Sequence, residues 1–416
     1  MTGGAAANGD AATDARASVA AVHRRTLLAL VACQVLGGLG FGATVSMGSL
    51  LFAELSGTPA LSGMASTMST LGAALVAIPL ARLAQRSGRR ISLGTGAGLA
   101  AAGATLTVLA AALVSLPLLF VGIAFIGMGN AANLQARFAA TDLAPPERRG
   151  RDLSIVVWST TIGAVIGPNL LEAGEAIGFQ LGLPHLSGPF VLTLITQLAA
   201  VVVYLVVLRP DPLLLANELS LAASRSTGVA PDEGRPRRFY LFAVISVACS
   251  HAVMVAIMAM TPVHLTEHGS SLTLVGITIS LHVAGMFALS PVFGILADRL
   301  GRVQTVIIGQ VLLALGLVAT AFGSDSHLWV TVGLALVGLG WSAATIAGSA
   351  LVTESTPSTL RTRNQGRNDL VMSLAGASGG ALAGPVLAAS GYAGLSAASG
   401  MLVLAVVVAA RLLARK

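Results

Sequence analysis

The stretch that decides the fold reads Gly294-Ile-Leu-Ala-Asp-Arg-Leu-Gly-Arg302. A degenerate copy, Ala81-Arg-Leu-Ala-Gln-Arg-Ser-Gly-Arg89, lies about half of the 416-residue chain earlier. Each copy lies between two long apolar runs. Glycine-rich runs, an acidic residue and a glycine–proline pair follow each copy in the same order. Self-similarity of this kind predicts two structural repeats in parallel orientation.

The composition indicates that lipid is the main solvent of this chain. Hydrophobic residues make up 55% of it and charged residues only 10%, whereas soluble proteins carry about 25% charged residues. A bilayer requires about 20 apolar residues per helix and admits only helices or closed barrels. The runs have helix length and do not alternate, so we expect an all-α polytopic membrane protein with twelve transmembrane helices. Their predicted bounds are Thr26–Leu51, Ser62–Leu83, Ile91–Leu113, Leu116–Thr141, Leu153–Glu172, Pro189–Leu208, Tyr240–Pro262, Leu272–Phe293, Val303–Phe322, Leu328–Val352, Leu370–Ala388 and Gly394–Leu413.

The basic residues predict the orientation. All 24 lysines and arginines fall in the amino-terminal tail, at or beside every second connection between helices, or at the carboxyl terminus. Cytoplasmic loops are enriched in these residues. We therefore predict a multi-pass protein of a bacterial-type inner (plasma) membrane with both termini in the cytoplasm. Topogenic arginines account for the net charge of +7, so we expect no nucleic-acid partner.

The repeat divides the chain into two pseudo-symmetric six-helix bundles. We predict a disordered cytoplasmic tail over residues 1–25 and a first bundle over 26–208. A flexible cytoplasmic central loop follows over 209–239, then a second bundle over 240–413 and a short cytoplasmic tail over 414–416. The two cysteines are far apart in apolar runs and suggest neither a disulfide nor a metal site.

The loop signature, its degenerate copy and a glycine–proline motif in the fifth helix together resemble the major facilitator superfamily, twelve-helix type. The resemblance covers nearly the whole chain from Thr26. In that family the fifth-helix motif is associated with exporters that exchange solute for protons, although here it lacks the trailing double glycine. The same residues are equally well explained as seams where helices pack closely. They are Gly163, Gly167 and Pro168 in the first half and Gly380, Gly384 and Pro385 in the second.

The resemblance also implies a cytoplasmic gate. Asp298 is expected at the amino-terminal end of the fifth helix, where free backbone N–H groups favour an anion. Arg299 is expected to pair with Glu354 and, by symmetry, Arg86 with Asp142. Gln85 replaces the aspartate in the first copy, so we expect an asymmetric gate. The alternative for each arginine is plain topogenic charge.

Two histidines at membrane depth are the candidates for proton coupling, because histidine titrates near neutral pH. They are His251 and His282; the alternative is that each is neutral and bonded to a neighbouring helix. Glu172 and Asp369, near helix ends, are weaker proton-site candidates because water can reach them, and Arg137 is expected to snorkel to the cytoplasmic surface. The family lines its cavity from helices 1, 4, 7 and 10, which implies as solute contacts Gln34, Asn133 and Trp341. Met254 in helix 7 offers an adaptable surface for apolar solutes; the alternative is an ordinary lipid-facing residue.

No clustered acid, base, nucleophile or metal-ligand set is visible, so we expect neither an enzyme nor a cofactor, and a proton gradient as the energy source. The leading hypothesis is proton-coupled efflux of a small organic solute by alternating access. The alternative is a proton-linked or uniporting importer of a small metabolite. A transporter-like membrane sensor is a less favoured class. The expected partners are the solute and the lipid bilayer, with the chain as a monomer.

Overall fold

The computed structural model describes residues 3–57, 64–227, 235–270 and 272–414. In these ranges the chain is almost entirely helical and contains no strand. Two short 3₁₀ turns, Pro146–Arg148 and Ser358–Leu360, precede α4 and α13 at equivalent places in the two halves. The α-helices are α1 (Gly3–Ser56), α2 (Met64–Ala112), α3 (Leu116–Ala139), α4 (Arg149–Asn169), α5 (Leu171–Gln180), α6 (Gly188–Val207), α7 (Pro212–Thr227), α8 (Arg237–Glu267), α9 (Leu272–Phe287), α10 (Ser290–Leu300), α11 (Arg302–Phe322), α12 (His327–Glu354) and α13 (Arg361–Ala414).

Two of these helices carry an apolar segment long enough to cross a bilayer twice. Among the described residues nine segments are long and apolar enough to span, and those in α2 and α13 have 49 and 55 residues. Gly88 (φ 85°, ψ 172°) bends α2 and Gly391 (φ 67°, ψ −177°) bends α13. A positive φ favours glycine because a Cβ would clash. Together with α4–α5 as a broken fifth span, the helices give the all-α polytopic arrangement predicted.

Two segments differ from their predicted character. α1 begins at Gly3, whereas a disordered tail was expected; the segment is rich in alanine, the strongest helix former. The central loop contains α7. The Asp211 carboxylate caps this helix by accepting hydrogen bonds from the N–H groups of Leu213 (3.0 Å) and Leu214 (3.3 Å), and Pro212 suits the first helical position.

Each half has its own apolar core. Leu30, Leu93 and Tyr204 are buried together in the first half, as are Ile257 and Leu334 in the second. A third apolar cluster joins the halves at the α4–α10 contact, with buried Leu153, Val157, Phe293, Ala343 and Ile346. The halves therefore pack against each other through side chains that a lipid-facing surface would leave exposed.

Only some of the glycines predicted to form helix-packing seams lie where two helices approach closely. A Cβ at Gly163 would lie 2.7 Å from the Cα of Gly38 in α1, so this glycine permits close packing. Among the described residues, Gly384 has open space around it and Gly380 has only a Val255 methyl group at 3.3 Å, which corrects the seam predicted there. Pro385 is exposed. The surroundings of Gly167 and Pro168 fall outside the described part of the chain.

In α13 the close approach lies nearer the start of the helix. A Cβ at Gly379 would meet the Ala252 carbonyl oxygen at 2.6 Å, and one at Gly376 would meet the His251 ring at 2.5 Å. The seam against α8 is thus formed by Gly376 and Gly379. Glycine spacing alone did not select these positions, because the chain has 48 glycines.

Candidate functional site

The arginine-rich turns of both halves gather at one end of the molecule, here named the basic end. Asp298, near the end of α10, lies against the start of α4 in the other half. Its carboxylate accepts hydrogen bonds from the N–H groups of Gly150 (2.9 Å) and Arg151 (2.8 Å). These N–H groups lack partners within the helix and the helix dipole favours an anion there. Gly150 allows the approach, because a Cβ would lie 2.7 Å from the carboxylate.

Glu354 pairs with the buried Arg302, and with the half-exposed Arg235 at 3.5 Å, which corrects the predicted pairing with Arg299. Arg302 Nε donates to Glu354 Oε1 at 2.9 Å, Nη1 donates to Asp298, and Nη2 donates to the Pro146 carbonyl in the other half at 3.0 Å. Arg302 is 6% exposed, whereas Arg299 is exposed. The reason is the turn at Gly301 (φ 105°), which directs the following residue inward.

The first half differs from the predicted pairing in the same way. Arg89, not Arg86, forms the ion pair with Asp142, at 2.8 Å and with both side chains 1% exposed. Arg86 is exposed, and Arg89 directly follows Gly88, as Arg302 follows Gly301. Burial raises the pKa of the Asp142 carboxyl, and the Arg89 guanidinium opposes this rise.

Arg89 also reaches the other half. Its Nη2 donates to Gln365 Oε1 at 2.7 Å, and Gln365 Nε2 donates to Thr353 Oγ1 at 3.2 Å. We name Asp298, Arg302, Glu354, Arg89, Asp142 and Gln365 the basic-end gate. A cavity of about 490 Å³ lies beside the gate. Its lining includes the gate residues Asp298, Arg302 and Glu354, together with Arg149 and Arg235, so the cavity belongs to the gate.

Deeper between the halves lies an ion pair that the sequence did not predict. Arg137 Nη2 in α3 donates to Asp369 Oδ1 in α13 at 2.5 Å, and the side chains are only 3% and 1% exposed. Both were expected to reach water, but the facing half covers them. Asn368 Nδ2 donates to the same carboxylate at 3.4 Å. Arg137 Nε and Asp369 Oδ2 have no hydrogen-bond partner among the described residues. Arg89 acts on Asp369 at longer range.

His251 lies on the second-half side of this pair. Trp341 Nε1 donates to His251 Nδ1 at 2.9 Å, and Phe287 contacts the Trp341 ring edge-on, with centroids 5.8 Å apart. The His251 ring packs against Gly376 in α13, seven residues after Asp369. Met254, one turn further along α8, is 3% exposed. An aromatic wall from α8, α9 and α12 therefore lies about two turns of α13 away from Asp369.

The remaining predicted residues bind neighbouring helices. His282 is fully buried, and its Nδ1–H donates to the Leu334 carbonyl at 2.7 Å. Gln34 Nε2 donates to Thr160 Oγ1 at 3.2 Å, and Asn133 packs over Gly37. These contacts agree with the alternative interpretation, in which such polar groups join neighbouring helices. A coupling or solute-binding role for them stays a prediction.

A family model described as Major Facilitator Superfamily matches residues 30–263 and 241–416. The chain belongs to the Major Facilitator Superfamily. It is 38% identical to a curated relative, the uncharacterized MFS-type transporter YdeG of Bacillus subtilis, over 92% of this chain and 90% of the relative. The riboflavin transporter RfnT of Brucella anthropi is 28% identical, over 91% of this chain and 92% of that protein.

Solved structures show the same fold. The human organic anion transporter MFSD10 superposes with a TM-score of 0.71 at 17% identity, covering 93% of this chain and 99% of that protein. The chain is therefore a multi-pass integral membrane transporter of a small solute and not an enzyme. Membership agrees with the resemblance read from the loop signatures.

Proposed function

We propose that this transporter couples the movement of a small organic solute to protons through the Arg137–Asp369 pair, by alternating access, with the basic end in the cytoplasm. The observation that carries the proposal is the burial of this pair between the halves. Ionisable groups at membrane depth are costly and mark ion or solute pathways by default. Alternating access moves the halves against each other about a central site, so a charge pair that joins them changes with that motion.

Protonation of Asp369 and separation of the halves are linked by electrostatics. With a proton on Asp369, the Arg137 guanidinium loses its counter-charge, and an unpaired buried charge costs several kcal/mol. The groups that act on Asp369 are Arg137, Asn368 and, at longer range, Arg89. The free Asp369 Oδ2 is the atom at which we propose the proton arrives.

The pair favours uptake with protons over the efflux predicted from the fifth-helix motif. A proton on Asp369 leaves a positive site that an entering solute can neutralise, so proton and solute bind together. Exchange requires them to compete. The motif itself is accounted for by the packing of Gly163 on Gly38. Proton-linked efflux remains the competing candidate.

The conformational test needs no known solute. Spin labels at the exposed positions Arg82 and Arg363, one in each half, report the separation at the basic end. We expect the wild-type separation to depend on pH and the dependence to be lost in Asp369→Asn. Asp325→Asn, which removes an exposed carboxylate, is the matched control and should behave as wild type. Equal pH dependence in wild type and Asp369→Asn would refute coupling through the pair.

The direction of proton movement relative to solute movement is tested in liposomes that contain a pH-sensitive dye, while a compound library is added outside. Co-transport acidifies the interior, whereas exchange makes it alkaline. Both responses should vanish in Asp369→Asn. Alkalinisation in the wild type would favour efflux by exchange over the uptake proposed here.

A further inference from the structure

We infer that Arg137 recognises a planar organic anion, whose acidic group replaces the Asp369 carboxylate on the guanidinium while the ring lies against the aromatic wall. This inference rests on the proposed function and adds the chemical class of the solute. The site joins α3 of the first half to α8, α9, α12 and α13 of the second, so a bound solute touches both moving halves.

The guanidinium is a built anion site. Arg137 is 3% exposed, and only one of its nitrogens, Nη2, bonds the carboxylate. Its Nε is buried without a partner among the described residues. Arginine presents its N–H donors in a planar fork that fits a carboxylate through two bonds. The present single bond therefore leaves a donor for a better-placed anion.

Charge balance selects an anion over a cation. Arginine stays protonated in proteins, so the pair is neutral only while Asp369 is ionised. When Asp369 takes up one proton and becomes a neutral acid, an arriving anion with one negative charge restores neutrality. No net charge is then left in the low-dielectric interior. An ammonium-bearing solute would instead lie next to Arg137 and be repelled.

The aromatic wall, about two turns of α13 from Asp369, suits a flat ring. Phe287, Trp341 and His251 form a continuous series, with centroids 5.8 and 5.9 Å apart. Small-molecule sites in proteins are commonly lined by aromatic side chains with a few orienting polar groups. Met254 and Met372 add adaptable apolar surface, and the Met372 sulfur lies 3.9 Å from Arg137 Nη2.

The test compares two probes of the same shape, 2-naphthoate and its neutral amide 2-naphthamide, by calorimetric titration of the purified protein. We expect naphthoate to bind at least about tenfold more tightly than the amide. The affinity for naphthoate should rise about tenfold for each unit fall in pH, over the pH range in which Asp369 takes up one proton when naphthoate binds. Asp369→Asn should keep naphthoate binding and lose the pH dependence.

Arg137→Gln alone leaves Asp369 unpaired and can impair folding, so the decisive variant is Arg137→Gln with Asp369→Asn. This neutral pair should fold and bind naphthoate at least about tenfold more weakly than Asp369→Asn, while the exposed-site control Arg148→Gln binds as wild type. Equal binding of both probes, absent naphthoate binding, or unchanged binding in the double variant would overturn the inference. A pH-dependent separation of the halves with no anion preference would overturn the solute class alone and leave the coupling proposal standing.

Discussion

Replacing Arg302 by glutamine should open the basic end of the transporter, whereas the same change at Arg299 should leave it closed. Arg302 donates to Glu354 and Asp298 in its own half and to the Pro146 carbonyl in the other. Arg299 is exposed although it stands in the loop signature. The two positions are three residues apart, so they form a matched pair for one substitution.

The expected magnitude follows from the contact that only the closed state makes. Removing one partner of a buried ion pair costs about 3–5 kcal/mol, but Glu354 and Asp298 lie in the same half as Arg302, so this cost does not distinguish closed from open molecules if each half moves as a unit. The bond to Pro146 is lost on opening, and a hydrogen bond to a charged group contributes about 1.5–3 kcal/mol. At 1.4 kcal/mol per factor of ten, the ratio of closed to open molecules should fall by about 10- to 150-fold. Arg299→Gln should change it by no more than about twofold, as for other surface changes.

Electron–electron distance measurements between spin labels at Arg82 and Arg363 resolve the two populations. The background should carry Cys33→Ala and Cys249→Ala, so that only the two engineered cysteines react. The Arg302→Gln variant should show a longer distance component that the wild type lacks. A shift in Arg299→Gln as large as that in Arg302→Gln, or no shift in a folded Arg302→Gln protein, would refute the assignment.

Four further outcomes are expected. Gly294→Ala places a Cβ 2.6 Å from the Gly150 carbonyl and should lengthen the same spin-label distance by preventing closure. Gly163→Ala should lower the unfolding temperature, since overpacking costs about 1–3 kcal/mol, while Gly384→Ala, with open space, should leave it unchanged or raised. Gln85→Asp should favour the closed state about twofold to thirtyfold by placing an anion near the start of α13. Asp211→Ala should speed amide exchange in the first turn of α7, because loss of a helix cap costs about 1 kcal/mol.

The fold was predictable because its signals are long and repeated. Twelve apolar runs and two glycine-centred turns were visible, and the break at Gly391 lies where the sequence placed one. The division of the eighth span into α9 and α10 was not predicted, although Pro291 near the start of α10 marks it through its missing N–H. The α7 helix was also missed, and its signal was present in Asp211 followed by Pro212.

The site was less predictable because it depends on contacts between the halves. The spacing from Arg89 to Asp142 and from Arg302 to Glu354 is nearly equal, and both arginines directly follow the turn glycine. This regularity was available in the sequence, but the family pattern pointed to Arg86 and Arg299. Arg137 gave no such signal: whether a side chain near a helix end snorkels or is buried depends on what the facing half covers.

Two sets of polar contacts join the halves, the basic-end gate and the Arg137–Asp369 pair, and they have separate consequences. Arg89 of the first half makes one charge-assisted bond across the gate, to the Gln365 amide of the second half. Asp298 and Arg302 of the second half make three, to the Gly150 and Arg151 N–H groups and to the Pro146 carbonyl of the first half. A hydrogen bond to a charged group contributes about 1.5–3 kcal/mol, so Asp298 and Arg302 account for most of the closed-state preference at the basic end. None of these gate groups belongs to the proposed solute site. The proposed changes fall on the Arg137–Asp369 pair instead, because a proton displaces Arg137 from Asp369 and an anion displaces Asp369 from Arg137. The gate therefore sets how strongly the closed state is favoured, and the pair sets what can shift it.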